Sequence, residues 1–221
     1  MITVYGRRNS MNVQKVMWTL GELGLEYHRH DVAGSFGFPP EYQNLNPNGV
    51  VPTIQDGDLT LWESNACVRY LARTYGEGSL WPSDAITLAH GDQWMDWASS
   101  TMNPAFFGIF MNLIRVPAER ANMQQVAASV DRCATLARHL DGHLADQSFM
   151  AGDSLTIGDI SLGCVFYRYF NLDIDRPDVP SLKAWYGRLC ERKAYQKHVM
   201  IPFGSNAEEW LVEEKKNAGV Q

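Results

Sequence analysis

The sequence predicts an α/β domain built as βαβ followed by ββα, and after it an all-helical domain, so the fold class is α/β plus all-α. Three observations carry this expectation. Short β-favouring runs alternate with amphipathic stretches in the first third of the chain, and an Asp-Gly dipeptide between two of those runs marks a hairpin. Beyond a break at residues 76–84, where Gly, Pro, Ser and Asp interrupt every periodicity, the apolar residues recur with the spacing of a helix face.

Residues 2–5, Ile-Thr-Val-Tyr, form the first β-favouring run. Apolar residues then recur at Val13, Val16, Met17 and Leu20, the i, i+3, i+4, i+7 pattern of a helix, with Gly24 as its stop. Residues 27–32 are the second strand, and a strand, helix and strand this compact close as a right-handed parallel unit. Residues 33–51 are rich in Gly, Pro and Asn and read as a loop with one helical turn near 41–45. Residues 52–55 and 59–62 flank Asp56-Gly57, which tolerates the positive φ angles of a type I′ turn, so these two strands are expected to be antiparallel. Ser64 is the expected N-cap of a helix that runs through Cys67, Leu71 and Thr74 and ends at Gly76.

In the second part, Trp94, Trp97, Ala98 and Thr101 share one helix face. Phe106, Ile109, Phe110 and Leu113 share another beyond Pro104, which is expected to kink or interrupt the helix. Val126, Val130, Cys133, Ala137, Leu140 and Leu144 give a third run, and Leu182, Trp185, Tyr186 and Leu189 repeat the pattern. About five helices are expected there. The expected division is a first domain over 1–78, a linker over 79–85 and a helical domain over 86–221.

Composition narrows the function classes. The chain has 221 residues, 45% of them hydrophobic, which is enough for a buried core. Its 19 basic against 25 acidic residues give a formal charge of -6 with no basic block, which argues against nucleic acid or an anionic membrane surface as a partner. The most apolar window, residues 105–114, falls well short of the roughly 18 residues that span a bilayer. At the amino terminus the apolar residues precede Arg7 and Arg8, the inverse of a secretory signal, so a cytoplasmic protein is expected. Cys67, Cys133, Cys164 and Cys190 lie far apart and share no ligand spacing with the histidines, so neither a metal site nor a disulfide framework is expected.

Three short segments hold the candidate chemistry. Ser10 lies in the loop between the first strand and the first helix, where exposed helix N–H groups favour an anion or thiolate. Taken alone it is more simply an N-cap, and with no histidine in the loop and no G-x-S-x-G elbow it would act only as a hydrogen-bond donor. Asn9 and Asn12 are the neighbouring alternatives. Val51-Pro52 opens the hairpin; a cis bond there would leave the Val51 backbone free to pair with an extended peptide, while the base rate for X-Pro bonds favours trans. Glu63-Ser64 stands where the hairpin meets a helix, and there a carboxylate and a hydroxyl can hold both charged ends of an amino acid.

In this order, with Lys15-Val16 on the first helix and Asn65-Ala66-Cys67-Val68-Arg69-Tyr70-Leu71 after Glu63-Ser64, these segments make the chain resemble the glutathione S-transferases over nearly its whole length. Residues 5–10 look like the serine-type, theta-like bacterial members. The opening Met-Ile-Thr-Val-Tyr-Gly-Arg and the run Leu61-Trp62-Glu63-Ser64-Asn65-Ala66 look closest to a proteobacterial subgroup linked to haloacetate detoxification. The resemblance implies a thioredoxin-like first domain, glutathione as cosubstrate and no metal. It further implies a thiolate activated by Ser10, a cysteinyl backbone paired with Val51 beside a cis Pro52, and a γ-glutamyl end held by Glu63 and Ser64. The thiolate would attack small electrophiles such as alkyl or aryl halides in a pocket to which Arg7, Arg8, Met11, Phe106, Phe110 and Arg115 are candidates. One of the first two arginines would orient an anionic substrate. The family's usual two-fold homodimer is implied as well, and Thr156-Ile157-Gly158-Asp159 looks like its capping box. A glutathione-dependent disulfide or peroxide reductase and a non-catalytic ligand- or protein-binding module are the competing readings. The tail after Pro202 is open between a final helix over the pocket and a mobile end.

Overall fold

In the computed structural model, which describes residues 1–221, β1 (Ile2–Tyr5), β2 (Tyr27–His30), β3 (Thr53–Asp56) and β4 (Leu59–Trp62) form one sheet in the order β2-β1-β3-β4. β1 and β2 are parallel and joined through α1 (Met11–Glu22); β3 is antiparallel to both β1 and β4. A single helical turn, α2 (Tyr42–Leu45), interrupts the long loop, and α3 (Ser64–Tyr75) follows the hairpin. Ile2, Val4 and Ile54 of the sheet pack on Val13, Val16 and Leu20 of α1 and on Cys67 and Leu71 of α3. This is the expected βαβ–ββα order.

The hairpin differs from expectation in its turn. Asp56 pairs with Leu59, so the two loop residues are Gly57 and Asp58, and only Gly57 has a positive φ, at 57°. A type I′ turn needs positive φ at both positions, so the turn is of the glycine-first kind instead. The start of α3 is also shifted. Ser64 is the first helical residue and Glu63 occupies the cap position at φ 70°, with no side-chain capping bond. The expected serine cap is therefore absent, and the Ser64 hydroxyl is available for other contacts.

Seven α-helices make up the second part, against the five expected: α4 (Ala85–Trp97), α5 (Asn103–Phe110), α6 (Met123–His143), α7 (Ile157–Asn171), α8 (Pro180–Cys190), α9 (Lys193–His198) and α10 (Ala207–Lys216). The additional ones are short and follow α8, where too few residues remain for a periodic pattern. Pro104 does not break the chain's helical course. It sits in the first turn of α5, directly after a π-helical turn at Ala98–Met102, so its missing N–H falls where the helix has already widened. A second π turn, Met111–Arg115, follows α5. Wide turns of this kind often accompany functional sites.

α7 runs through the middle of the helical part and is buried along Ile157–Tyr169. Trp18, Val68 and Ala72 of α1 and α3 join this core, while the sheet residues Ile2, Val4 and Ile54 keep a smaller cluster of their own. Gly163 of α7 makes that possible, since a Cβ there would stand 2.6 Å from Trp18 Cζ3. The start of α7 is fixed as the capping box implied. The Asp159 carboxylate accepts from the Thr156 N–H at 2.8 Å, and it also takes the Met150 N–H and Trp185 Nε1, both at 2.9 Å. No helix is long and apolar enough to cross a membrane.

Candidate active site

The β1–α1 loop opens onto a cavity of about 420 Å³ whose far walls come from α5, the π turn after it, α7 and α10. Ser10 precedes α1 with extended backbone, the conformation of an N-cap, yet its side chain makes no capping bond. The hydroxyl lines the cavity instead, beside the uncapped amide groups of a 12-residue helix. Asn9 lines it too. Its side chain is buried, and neither Oδ1 nor Nδ2 has a partner, a costly arrangement unless something bound in the cavity supplies one. Asn12 is exposed and accepts from the Ser64 hydroxyl at 3.3 Å, which ties the first loop to the start of α3.

The other expected binding residues gather nearby. Val51-Pro52 is cis, and the Val51 N–H and C=O are not engaged within the chain, which leaves a short extended edge. Ser64 is buried while Glu63 is exposed and pointed by its left-handed backbone. Beneath them lies Lys15, 1% exposed, its Nζ 3.2 Å from Asn65 Oδ1 and 3.5 Å from Ser64 Oγ. Asn65 in turn reaches α4 through the Met95 carbonyl and is held by the Ser161 hydroxyl of α7.

Burial pushes the Lys15 ammonium down from 10.5 to about 8, against the pull of Glu63 and Cys164. Between those two values the unfolded chain holds a proton that the folded chain has released, so stability rises as pH increases across the interval. Below the lower value the full cost, roughly 3 kcal/mol, is present. Lys15→Met removes it. The stability gap between variant and wild type in chemical denaturation is expected to shrink by roughly 2 kcal/mol from about pH 7 to about pH 9.5. A constant gap would show that Lys15 keeps an ordinary pKa.

The electrostatics of the cavity are set by three guanidinium groups. Arg7 Nε lies 2.8 Å from the buried Glu214 carboxylate. Arg168 is buried, donates to the Asn9 carbonyl at 2.6 Å and lies 4.4 Å over the Phe110 ring, and burial together with the repulsion of Arg115 and Arg7 pushes it down to about 9. Arg115 stacks 4.4 Å from the Trp210 ring, and burial and Arg7 lower its pKa as well. Neither Arg115 nor Arg168 has a carboxylate within salt-bridge distance, so one acid faces three cations. The lining of the cavity therefore carries an excess of positive charge.

Met11, Phe106, Phe110, Arg7 and Arg115 thus line the cavity with Ser10, as the sequence suggested. Arg8 does not. It donates to Asn217 Oδ1 at 2.5 Å and to the Lys197 carbonyl at 2.7 Å, and holds the end of the chain. Arg168 was not anticipated as a site residue, and Trp210 only through the alternative that the tail after Pro202 forms a final helix over the pocket. A signal for Arg168 was present, since it is a single cation in the otherwise apolar run Val165-Phe166-Tyr167-Arg168-Tyr169-Phe170. The structure makes that tail a helix, α10, and brings Trp210 to the cavity.

A sheet domain with a free extended edge and a helix N-terminus, facing a helical domain across a partly aromatic cavity, is the arrangement of a glutathione-dependent transferase. Comparison with known proteins agrees. Residues 1–73 match the glutathione S-transferase N-terminal domain and residues 123–188 the glutathione S-transferase C-terminal domain. The chain is 42% identical to the Escherichia coli glutathione S-transferase GstB over 91% of its own length and 99% of that protein. It superposes with a TM-score of 0.88 on a theta class glutathione S-transferase from Xanthomonas axonopodis pv. citri with glutathione bound, at 44% identity, over 92% of this chain and 99% of that one. A maize glutathione S-transferase I in complex with an atrazine glutathione conjugate gives 0.81 at 26% identity, over 92% of this chain and 99% of that one. The chain belongs to the glutathione S-transferase family, whose cosubstrate is glutathione.

Proposed function

We propose that this transferase is a serine-type, theta-like enzyme that ionises glutathione with Ser10 and directs the thiolate at small electrophiles carrying an anionic group. The carrying observation is the Ser10 hydroxyl, free of any capping role and facing the cavity at the N-terminus of α1. A free thiol titrates at about 8.5, and lowering that by two units takes roughly 2.7 kcal/mol of preferential thiolate stabilisation. A charge-assisted bond from Ser10, worth about 1.5–3 kcal/mol, and the helix dipole supply it. Asn9, with an unpartnered buried amide beside the same space, is a second donor to the sulfur. The cysteinyl backbone pairs with Val51, and Glu63 and Ser64 hold the γ-glutamyl end above Lys15. In the reaction the sulfur forms a bond to carbon and halide departs with its electron pair, as with alkyl or aryl halides and the haloacetates of the subgroup it resembles. Arg115 and Arg168 then hold the anionic group, in place of the Arg7 or Arg8 that the sequence suggested, since Arg7 is paired with Glu214 and Arg8 bonds Asn217 and Lys197.

A homodimer in the cytoplasm is the setting we infer from the family resemblance. A panel of haloacids, aryl halides, hydroperoxides and mixed disulfides with glutathione tests the activity. Turnover of haloacids is expected. Turnover of disulfides or hydroperoxides alone would favour a reductase, and none at all a binding module.

A further inference from the structure

Three Lys and Arg side chains are buried, and one of them lacks what accounts for the other two. Arg29 is paired with Asp31, and Arg168 lines the cavity. Lys15 does neither: no carboxylate lies within salt-bridge distance of it, and it is not part of the cavity wall. Its Nζ donates only to two neutral oxygens, Asn65 Oδ1 at 3.2 Å and Ser64 Oγ at 3.5 Å, both long for an ammonium. The third N–H has no acceptor. Asn65 is fixed with its oxygen toward this charge, since its Nδ2 donates to the Met95 carbonyl at 3.0 Å and the Ser99 hydroxyl at 3.1 Å.

The elements packed around Lys15 do not supply the missing charge. On α7 the Cys164 thiol is buried and pushed up to about 12, so it stays neutral, and Arg168 turns to the Asn9 carbonyl. On α3 burial pushes Cys67 up to about 12 as well, and Arg69 turns away to Asp92 and Asp96. On α9, Tyr195 meets Trp18 and His198 meets Gly21, further along α1, where Glu22 is paired with Arg192. Glu63 alone pulls on the ammonium as an anion, from an exposed position at the head of α3. Ser64 lies between Lys15 and the surface. An oxygen bonded to its hydroxyl at an ordinary distance of about 2.8 Å would stand within roughly 6 Å of Lys15 Nζ.

We infer that Lys15 is a positioning residue of the glutathione site, its buried charge acting through Ser64 on the α-carboxylate of the γ-glutamyl group, the counter-ion that the fold leaves it without. This deepens the proposed function and rests on its placing of the γ-glutamyl end at Glu63 and Ser64. An opposite charge at this range raises an ammonium by about one unit or more, so binding returns to Lys15 a proton that the free enzyme has begun to lose near pH 8. The sign follows from linkage. Below about pH 7 Lys15 is charged with or without ligand and its contribution to affinity is complete; that contribution fades as pH rises through 8 to 9, by up to about tenfold.

Isothermal titration calorimetry of the full chain, in buffers of different ionisation enthalpy, counts those protons. The probes are S-methylglutathione, whose capped sulfur cannot titrate, and its 4-aminobutyryl analogue, which lacks the α-carboxylate. At pH 8.5 wild type is expected to take up about half a proton more than Lys15→Met on binding S-methylglutathione, with almost no difference at pH 7. At pH 7 the variant is expected to bind S-methylglutathione about tenfold more weakly and the analogue within about twofold of wild type. Lys15→Gln, which keeps a donor but no charge, should match Lys15→Met, and thermal melting checks that both are folded. Equal proton uptake at pH 8.5, a loss that the analogue shares, or full affinity in Lys15→Gln would overturn the role of Lys15 and leave the γ-glutamyl placement intact. If wild type binds the two probes alike, that placement fails and the role of Lys15 with it.

Discussion

Replacing Asp159 by alanine is expected to lower the stability of the fold by about 3–5 kcal/mol, the largest single effect of any polar side chain outside the site. The carboxylate is fully buried, and burial raises its pKa against the pull of its hydrogen bonds. Those bonds are what the variant loses. Met150 N–H, Thr156 N–H and Trp185 Nε1 would all be left buried without an acceptor, at about 1–3 kcal/mol each before relaxation, along with the N-terminal cap of α7. α7 is the helix against which α1, α4 and α8 pack, so the damage is not local. For a chain of this length the melting temperature is expected to fall by roughly 10 °C. A drop of a degree or two would mean that the capping box is dispensable.

Ser10→Ala is expected to cut kcat/KM with a bromo acid about tenfold at neutral pH, with glutathione KM changed less than about threefold. The reasoning is confined to the sulfur. Losing one charge-assisted bond raises the bound thiol by one to two units, so most of the glutathione at pH 7 would be protonated thiol. At about pH 9 both enzymes would hold mainly thiolate and their rates should converge, an outcome that a merely structural role for Ser10 would not produce. The proposed γ-glutamyl and backbone contacts at Glu63, Ser64 and Val51 do not involve Ser10, so binding is expected to survive.

The sheet was legible because its signals are local. Alternation in residues 2–5 and 59–62 and the helix face Val13, Val16, Met17 and Leu20 each need only their own neighbours. Turn details were less so. Asp56-Gly57-Asp58 allows two overlapping two-residue loops, and cross-strand packing of Ile54 against Leu61 decides between them. A positive φ at Glu63 runs against the preference of any side chain, and only the geometry of the hairpin-to-helix junction shows it. The candidates Ser10, Val51, Glu63 and Ser64 were singled out through their order along the chain. The pocket was half visible: Phe106 and Phe110 lie on one periodic face, but Arg168 and Trp210 reach it from elements far apart in sequence. Arg8 illustrates the converse. Adjacent to Arg7, it points the other way, because Asn217 and the Lys197 carbonyl, not the cavity, take its hydrogen bonds.

The claim on which the rest depends is that Ser10 and the N-terminus of α1 make a thiolate of bound glutathione. Its most direct measurement is the ultraviolet absorbance of the thiolate in the enzyme–glutathione complex as a function of pH, for wild type and Ser10→Ala. The expected result is an apparent pKa near 6.5 in wild type, about two units below the free thiol, and one to two units higher in the variant. A bound thiol that titrates at the same pH in both would contradict the account.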